Sequence, residues 1–223
     1  MTRSEGSGCR TSRRIKSGIF PTLEFEQPLW EGGFACIAGI DEAGRGALAG
    51  PVAAGAVILP ADPSLTRTLD QVRDSKLMTP PERQAWAPRI QAAALAWGVG
   101  LASSQEIDAL GIVPATKLAA RRALDSLVPS QLFPDYLLTD YLLFPELDLP
   151  QTALIKGDQR SLSVAAASVL AKTARDALMC SADGQYPGYG FARHKGYGTL
   201  FHQQALARLG VCALHRRSFS GCA

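Results

Sequence analysis

The stretch that decides the fold is CIAGIDEAGRGALAGPVAAGAVIL, residues 36–59. Its two apolar parts, 36–40 and 51–59, have the length and composition of buried strands. The segment between them, 43–50, is rich in glycine and therefore able to turn. We predict a hairpin whose turn carries Asp41 and Glu42.

Four acidic residues stand at the ends of three apolar, strand-like runs. The ends of strands that are distant in sequence can meet at one edge of a sheet, where open α/β folds tend to carry their sites. Carboxylate oxygens are ligands that suit Mg²⁺ or Mn²⁺. The sequence therefore predicts a site for hard cations. The four residues are Asp41 and Glu42 after Ile40, Asp140 after 136–139, and Asp158 after 153–157.

Taken singly, each of these acids has a simpler interpretation, because an aspartate in a loop more often caps a helix, forms a turn or faces solvent. The joint pattern favours a cluster. Carboxylates gathered in a cleft would repel one another, and repulsion would raise one or more of their pKa values. A divalent cation would offset the repulsion, so we expect the site to be loose without metal.

Composition and cysteine usage exclude several classes of protein. The chain has 223 residues, of which 47% are hydrophobic and 19% charged, as expected for one main globular domain. Its five cysteines are odd in number and form no CxxC pair, which argues against a zinc site and a disulfide framework. This cysteine usage fits a reducing cytoplasm. No apolar run approaches the roughly 18–20 residues of a membrane span, so we predict a protein that is neither exported nor anchored.

Charge is concentrated at the start of the chain. The net charge is +3, but residues 1–16 hold five basic side chains against Glu5 alone, which leaves the rest of the chain near neutrality. We predict a flexible basic N-terminal tail and leader at 1–33 and a catalytic domain at 34–219. Two interpretations of the tail stay open, an added non-specific affinity for nucleic acid and a solvated leader without function.

The remaining patterns indicate strands first and then helices alternating with strands. This order predicts a mixed α/β sheet flanked by helices, with a C-terminal helical region. Ser161 or Ser163 is a suitable N-cap for the longest helix, and Pro88 is expected to kink the first. The predicted elements are a strand at 97–102, helices at 81–95, 106–110, 114–127, 161–179 and 200–209, and a loop rich in glycine and tyrosine at 187–199.

A series of motifs in a fixed order covers residues 20–219 and resembles ribonuclease HII. The chain departs from that family's usual pattern at Ala47, at Tyr141 and at 212–214, and keeps every acid. Asp135 lies five residues before Asp140, which has the better strand-end position. The motifs are AGIDEAGRG (38–46), DSK (74–76), EID (106–108) with GI (111–112), KGD (156–158), AAAS (165–168), AK (171–172), RD (175–176), HKGYGT (194–199) with His202, and HRRSF (215–219).

The resemblance implies a ribonuclease-H-like fold and hydrolysis of the RNA strand of an RNA–DNA hybrid. It also implies cutting 5′ to a single ribonucleotide in duplex DNA, which leaves 3′-hydroxyl and 5′-phosphate ends. Two divalent ions about 4 Å apart are expected. Asp41 would bridge them, and Glu42, Asp140 and Asp158 would complete the shells. Because strand neighbours point to opposite faces, Asp41 and Glu42 would share one site only through a bend, which we assign to Gly44 and Gly46.

By the same resemblance, the turn Gly44-Arg45-Gly46 reads the ribose 2′-hydroxyl, and Tyr197 packs on the sugar at the RNA–DNA junction. Without the family resemblance, the sequence would indicate only a half-buried tyrosine in a glycine-rich loop at position 197. Lys76 and Lys172 are candidate phosphate contacts, although a surface lysine is more often only solvated.

Other polar residues have structural interpretations. Asp74 is expected to order its own turn, and Asp176 to pair with Lys172 at i, i+4 spacing. The three histidines, His194, His202 and His215, have no metal-binding spacing, although His194 could touch substrate.

Three other functions are alternatives for this sequence. Ribonuclease HIII is disfavoured, because the 34 residues before Ala35 are too few for its additional N-terminal domain. A non-catalytic module that binds hybrids would keep the acids only for structure. Another two-metal nuclease of the same fold would be distinguished by whether a single ribonucleotide suffices for cutting. The partners expected are RNA–DNA hybrids and DNA duplexes that contain ribonucleotides, with no membrane and a monomeric protein.

Overall fold

The computed structural model describes residues 20–127 and 132–222, so the basic segment 1–16 lies outside the described residues. Five strands form one sheet in the order β3-β2-β1-β4-β5. The strands are β1 (Ile37–Ala43), β2 (Val52–Ile58), β3 (Ala96–Ala102), β4 (Tyr136–Asp140) and β5 (Gln151–Leu154). The helices are α1 (Glu26–Glu31), α2 (Leu65–Thr68), α3 (Pro80–Ala93), α4 (Ser104–Leu110), α5 (Ile112–Asp125), α6 (Gly157–Arg160), α7 (Leu162–Gln185), α8 (Phe191–His194) and α9 (Leu200–Leu209).

The sheet is mixed, as predicted. Strands β1, β2 and β3 pair antiparallel, whereas β1, β4 and β5 pair in parallel. The predicted hairpin is confirmed, but its turn does not carry the two acids. Asp41 pairs with Gly55 and Glu42 with Ala54 inside the strand ladder. The apolar run stops at Ile40, yet backbone pairing with β2 continues through the charged residues, because it does not depend on the side chains.

Helices cover both faces of the sheet. Helix α5 packs on one face and contributes Ala115, Ala119 and Ala123 to the core there. Helices α7 and α3 cover the other face. Strand β2 is buried along its whole length, since it has a neighbouring strand on each side and helices above and below. Within the described residues, no helix has the length and apolar character needed to cross a membrane.

Helix α7 touches the hairpin backbone directly. Four residues of α7 whose positions differ by multiples of four face four glycines of residues 39–55, so one ridge of the helix runs along them. Gly39 and Gly55 contact the helix backbone, whereas Gly44 and Gly50 contact side chains. A methyl group added at Gly39 would lie 2.3 Å from the Ser163 carbonyl carbon, well inside van der Waals contact. The helix can approach this closely only because those positions lack side chains. The facing pairs are Gly39 with Ser163, Gly55 with Ala167, Gly44 with Arg175 and Gly50 with Met179.

The start of α7 is held by a residue from the segment predicted to be a flexible leader. Ser161 is the N-cap, and its hydroxyl accepts a hydrogen bond from the Val164 amide. The buried carboxylate of Glu26 accepts from the Ser161 hydroxyl at 2.6 Å and from the Ser163 amide at 3.0 Å. A carboxylate at a helix N-terminus is stabilised by the helix dipole. Residues 20–33 therefore belong to the folded unit.

Two predicted elements differ in detail from the structure. Helix α3 continues through Pro88, and the kink expected there stays a prediction. The strand predicted at 153–157 ends at Leu154, so Asp158 lies in α6 rather than at a strand end. The predicted loop 187–199 contains the short helix α8.

Replacing Gly55 with alanine tests the close contact with α7. The new methyl group would lie 2.3 Å from the Ala167 carbonyl oxygen, so either the helix or the strand must move. We expect Gly55→Ala to lower the free energy of unfolding by about 2–3 kcal/mol in urea denaturation.

The matched control is Gly184→Ala in α7, the helix that Gly55 contacts. A methyl group at Gly184 meets no atom within 4 Å. We expect this variant to gain about 0.5–1 kcal/mol from helix propensity. Equal effects of the two substitutions would contradict the close approach.

Candidate metal centre and nucleic-acid contacts

Three of the four predicted acids meet at one edge of the sheet. Asp41, Asp140 and Asp158 each offer a carboxylate oxygen, and these oxygens lie within 4.8 Å of one another. Asp41 comes from β1, Asp140 is the last residue of β4, and Asp158 lies in the first turn of α6. The parallel pairing of β1, β4 and β5 brings these segments together from distant parts of the chain.

Hydrogen bonds between the ends of β4 and β5 fix two of these acids. One oxygen of Asp140 accepts from the Gly157 amide at 2.8 Å, next to Asp158 in sequence. The Tyr141 amide donates to the Leu154 carbonyl at 3.0 Å. The backbone bridges therefore set the distance between the carboxylates before any ligand binds.

Asp135, the other acid near the start of β4, lies at the opposite end of that strand. Its two carboxylate oxygens accept from the amides of Ala35 and Cys36 at 2.7 and 2.9 Å. Asp135 therefore ties the start of β4 to the start of β1, and Asp140 is the β4 acid that faces the other carboxylates.

Glu42 is not a member of the group of three. It follows Asp41 within the same strand, so its side chain points to the opposite face, toward Thr116 and Ala120 of α5. These residues line a small cavity that Asp41 and Asp140 also border. One oxygen of Glu42 accepts from the Arg45 guanidinium at 3.2 Å. The bend that we predicted to bring Asp41 and Glu42 together is absent, because Gly44 and Gly46 lie beyond the end of β1.

Burial and mutual repulsion shift the ionisation of the acids. Burial raises the pKa of Asp41 well above its usual range, and the charges of Glu42, Asp140 and Asp158 raise it further. Burial, with the charges of Asp74 and Asp140, raises the pKa of Asp158 to about 6, against the opposing effect of Lys76. Burial also raises the pKa of Glu42, and Arg45 opposes that rise.

The residues present fit a hard divalent cation. The donor set consists of carboxylate oxygens, and Asp41 and Asp158 are each only 3% exposed. The cation found beside them is Lys76, whose ammonium lies 3.7 Å from Asp158 on a side chain that is 70% exposed. An ion pair with so exposed a lysine offsets little of the repulsion. A bound Mg²⁺ or Mn²⁺ would offset it more completely.

Asp74 lies beside this cluster, which sequence reasoning did not anticipate. As predicted, its carboxylate orders a turn, since it accepts from the Lys76 amide at 2.9 Å. Its second oxygen accepts from the Gln159 side chain at 3.3 Å, next to Asp158. The signal available in the sequence was the position of Asp74 two residues before Lys76, itself a candidate site residue.

The turn Gly44-Arg45-Gly46 is held from below by Arg216. This arginine is fully buried, and its guanidinium donates to the carbonyl oxygens of Gly44 and Arg45 at 2.8 and 2.7 Å. Gly44 has a φ of 91°, a left-handed conformation that glycine adopts without strain. In the sequence, Arg216 stands out only as part of the motif HRRSF (215–219), which gives no sign of this contact.

Tyr197 is half-buried and lies over two cations of α7. The Lys172 ammonium is 5.3 Å and the Arg175 guanidinium 5.5 Å from the centre of its ring. Lys172 also pairs with Asp176 at 2.8 Å, as predicted from their i, i+4 spacing. The Leu48 amide donates to the Gly196 carbonyl at 2.8 Å, which joins the Tyr197 segment to the loop after the Gly-Arg-Gly turn.

Buried Arg175 joins the same two segments. Its guanidinium donates to the carbonyl oxygens of Ala49 and Pro51 in the hairpin loop and to that of Lys195. The turn and the Tyr197 segment therefore form one hydrogen-bonded unit.

Two buried histidines form a chain of hydrogen bonds that ends at the Tyr197 carbonyl oxygen. The Cys212 amide donates to His215 Nδ1 at 2.9 Å, so Nε2 carries the proton and donates to His202 Nε2 at 3.1 Å. His202 Nδ1 then donates to the Tyr197 carbonyl at 3.0 Å. Burial lowers the pKa of His202 to about 4, which keeps its ring neutral.

His194 stacks on His202 with ring centres 4.4 Å apart. Its Nδ1 accepts from the Gly196 amide and its Nε2 donates to the Tyr189 carbonyl, so both nitrogens are occupied within the protein. The substrate contact suggested for His194 has no free ring nitrogen to make it.

Comparison with known proteins places this arrangement among ribonucleases. The sequence profile of the family described as Ribonuclease HII matches residues 38–222. The chain is 54% identical over 204 residues to Ribonuclease HII of Synechococcus sp. strain JA-3-3Ab, covering 91% of this chain and 89% of that protein. It is 53% identical over 208 residues to Ribonuclease HII of Syntrophotalea carbinolica, covering 91% and 96%. Ribonuclease H2 from Pyrococcus horikoshii OT3 superposes with a TM-score of 0.67 at 25% identity, covering 83% and 94%.

Replacing Asp41 with asparagine tests the repulsion among the acids. We expect Asp41→Asn to stabilise the metal-free protein at pH 8 by about 1–3 kcal/mol, because a buried like charge is removed. The asparagine oxygen can still accept from the Glu42 amide. The gain should shrink as the pH falls, because the raised pKa of Asp41 lets the folded wild type bind a proton there and lose the buried charge.

The measurement is urea denaturation with chelator and again with Mg²⁺, beside the exposed control Asp70→Asn. Added Mg²⁺ should stabilise the wild type and the control but not Asp41→Asn. A metal-free Asp41→Asn protein less stable than wild type would contradict the electrostatic account.

The neutral His202 ring predicts acid-sensitive folding. Unfolded His202 has a pKa of about 6.5, whereas burial lowers the folded value to about 4. Between these pH values the unfolded chain binds a proton that the folded protein does not. The contribution of His202 to stability is therefore complete above pH 6.5 and is lost as the pH falls, by up to about 3 kcal/mol.

The measurement compares the slope of unfolding free energy against pH for wild type and His202→Asn. This slope is proportional to the number of protons taken up on unfolding. Between about pH 6.5 and 4, that number should be smaller by close to one in the variant. Parallel slopes would show that His202 is not kept neutral by the fold.

Proposed function

Since this chain belongs to the ribonuclease HII family, a family of metal-dependent endoribonucleases, we propose that it cuts 5′ to single ribonucleotides in duplex DNA. We propose that it also hydrolyses the RNA strand of RNA–DNA hybrids. The observation that carries this proposal is the position of the Gly44-Arg45-Gly46 turn, directly after the strand that holds Asp41. A ribose bound at the turn would place its phosphodiester beside the three carboxylates.

Asp41, Asp140 and Asp158 would hold the metal, and Glu42 would complete the set from the neighbouring face. Two bound Mg²⁺ or Mn²⁺ ions would supply a nucleophilic water and stabilise the charge on the leaving 3′-oxygen. The fixed strand ends keep the carboxylates in place, so little reorganisation is needed when the ligand binds. The products would carry 3′-hydroxyl and 5′-phosphate ends.

Cationic side chains around the carboxylates would bind the nucleic-acid backbone. Lys76 lies at the edge of the cluster, and Arg45 on the turn is half-buried against Glu42. Lys172 lies under the Tyr197 ring, where it would meet the next phosphate while the ring packs on the sugar. The body of the chain has almost no net charge, so these local cations would supply the attraction.

A monomeric, cytoplasmic enzyme stays a prediction. Within residues 20–127 and 132–222, the cysteines are free thiols, which agrees with a reducing compartment.

Cleavage of a DNA duplex that contains one ribonucleotide tests the function. We expect Mg²⁺- or Mn²⁺-dependent cutting 5′ to the ribonucleotide, and a loss of at least about a thousandfold in Asp41→Asn. Cutting of an all-RNA hybrid strand without junction cutting would indicate an activity like that of ribonuclease HIII. Tight binding of both substrates without any cutting would support the non-catalytic alternative.

Replacing Tyr197 with phenylalanine tests its role at the sugar. The variant keeps the ring over Lys172 and Arg175 but loses the hydroxyl group. We expect junction cleavage to fall roughly tenfold, the equivalent of one hydrogen bond, with unchanged stabilisation by Mg²⁺. The matched control is Tyr186→Phe, whose ring packs against Phe191 instead. Wild-type junction cleavage by Tyr197→Phe would exclude a role for the hydroxyl.

A further inference from the structure

The side chain of Arg216 holds the Gly44-Arg45-Gly46 turn through backbone carbonyl oxygens. Its three donating nitrogens reach the carbonyl oxygens of Arg45 at 2.7 Å, Gly44 at 2.8 Å and Gly50 at 3.0 Å. The side chain is fully buried, and no carboxylate among the described residues lies within ion-pair distance of it. The Phe219 ring covers its other side, 5.1 Å from the guanidinium carbon.

The position of these carbonyls fixes the direction of two amides. In a planar trans peptide, the C=O and the following N–H point in opposite directions. Because the carbonyls of Gly44 and Arg45 point at Arg216, the amides of Arg45 and Gly46 point away from it. Neither amide has an acceptor within the part of the chain that the structure describes. Gly46 is exposed, so these donors face the outside of the turn.

A purely structural role is a poor explanation for a buried cation here. Burial lowers the pKa of Arg216 to about 10, and the nearby charge of Arg175 adds to that shift. A buried charge without a carboxylate partner carries a desolvation penalty that an apolar side chain of similar size would avoid. What only arginine supplies is a rigid fork that grips two successive carbonyls at once.

We propose that Arg216 is a positioning residue, which orients the Gly44-Arg45-Gly46 turn so that the amides of Arg45 and Gly46 donate to the ribose 2′-hydroxyl. The inference rests on the proposed function, since it names the group that sets up recognition at the same site. Both amides could equally donate to a phosphate oxygen. A duplex of DNA alone has the phosphates without the hydroxyl, so comparison of the two duplexes separates these acceptors.

The test measures binding in an Asp41→Asn background, which prevents cleavage. The affinities are those for a duplex with one ribonucleotide and for the same duplex made of DNA alone. Arg216→Lys keeps the charge but loses the fork. We expect the preference for the ribonucleotide duplex to fall about tenfold or more, with DNA affinity changed less than about twofold. The matched control is Arg217→Lys, an exposed neighbour, which should keep the preference.

The outcomes separate the two claims. A parent protein that shows no preference for the ribonucleotide would overturn the proposed function, and the role of Arg216 with it. A parent that shows the preference and an Arg216→Lys protein that keeps it would overturn the positioning role alone. If Arg216→Lys weakened binding to both duplexes equally, Arg216 would support the fold in general. That result would also overturn the positioning role.

A second measurement needs no substitution at position 216. With chelator present, the amide signals of Arg45 and Gly46 in wild-type protein are followed by NMR as each duplex is added. We expect both amide protons to shift downfield with the ribonucleotide duplex and much less with the DNA duplex. Identical shifts with the two duplexes would overturn the proposal even if Arg216→Lys fails to fold.

Discussion

The close approach of α7 to the hairpin is the constraint on which the rest of the structure depends. One ridge of the helix runs from Ser163 at the Gly39 contact to Met179 at the Gly50 contact. The N-terminal part of this ridge sets the distance between α7 and β1. It therefore also sets the position of Asp41, two residues after Gly39. Further along, Arg175 enters the hairpin loop itself. A single packed helix thus positions both the acidic cluster and the loop that would bind substrate.

This arrangement keeps charges of both signs buried and poorly compensated. At the sheet edge, Asp41 and its neighbours repel one another. At the loop, two buried arginines donate to carbonyl oxygens, and within the described residues neither forms an ion pair with a carboxylate. Each set lowers the stability of the protein without ligand. Each is complementary to one part of a metal-bound nucleic acid, since the acids attract cations and the ordered amides attract oxygen acceptors. Such preorganised charges act strongly because they need no rearrangement when the ligand arrives.

Local patterns in the sequence predicted the features that depend on neighbouring residues. The hairpin strands, the Ser161 cap and the mixed sheet follow from apolar runs, turn residues and element order, and Asp140 was placed correctly because it ends such a run. The pattern failed where hydrogen bonding decides the structure. Backbone pairing extends β1 past Asp41 and Glu42, and the grip of Arg216 on Gly44 joins residues 172 positions apart. No periodicity in one sequence carries that information.

Backbone strain is also found beside the acidic cluster. Tyr141 and Lys156 have left-handed conformations, with φ values of 64° and 56°, although neither is glycine. Such residues cost about 1–3 kcal/mol each and persist where the surroundings hold them. Tyr141 directly follows Asp140 and is tied to Leu154, whereas Lys156 precedes Gly157, whose amide binds Asp140. Both sharp turns bring a carboxylate toward its neighbours, against their repulsion. Holding the acids together therefore lowers the stability of the metal-free protein, as expected for a site that is preformed for a cation.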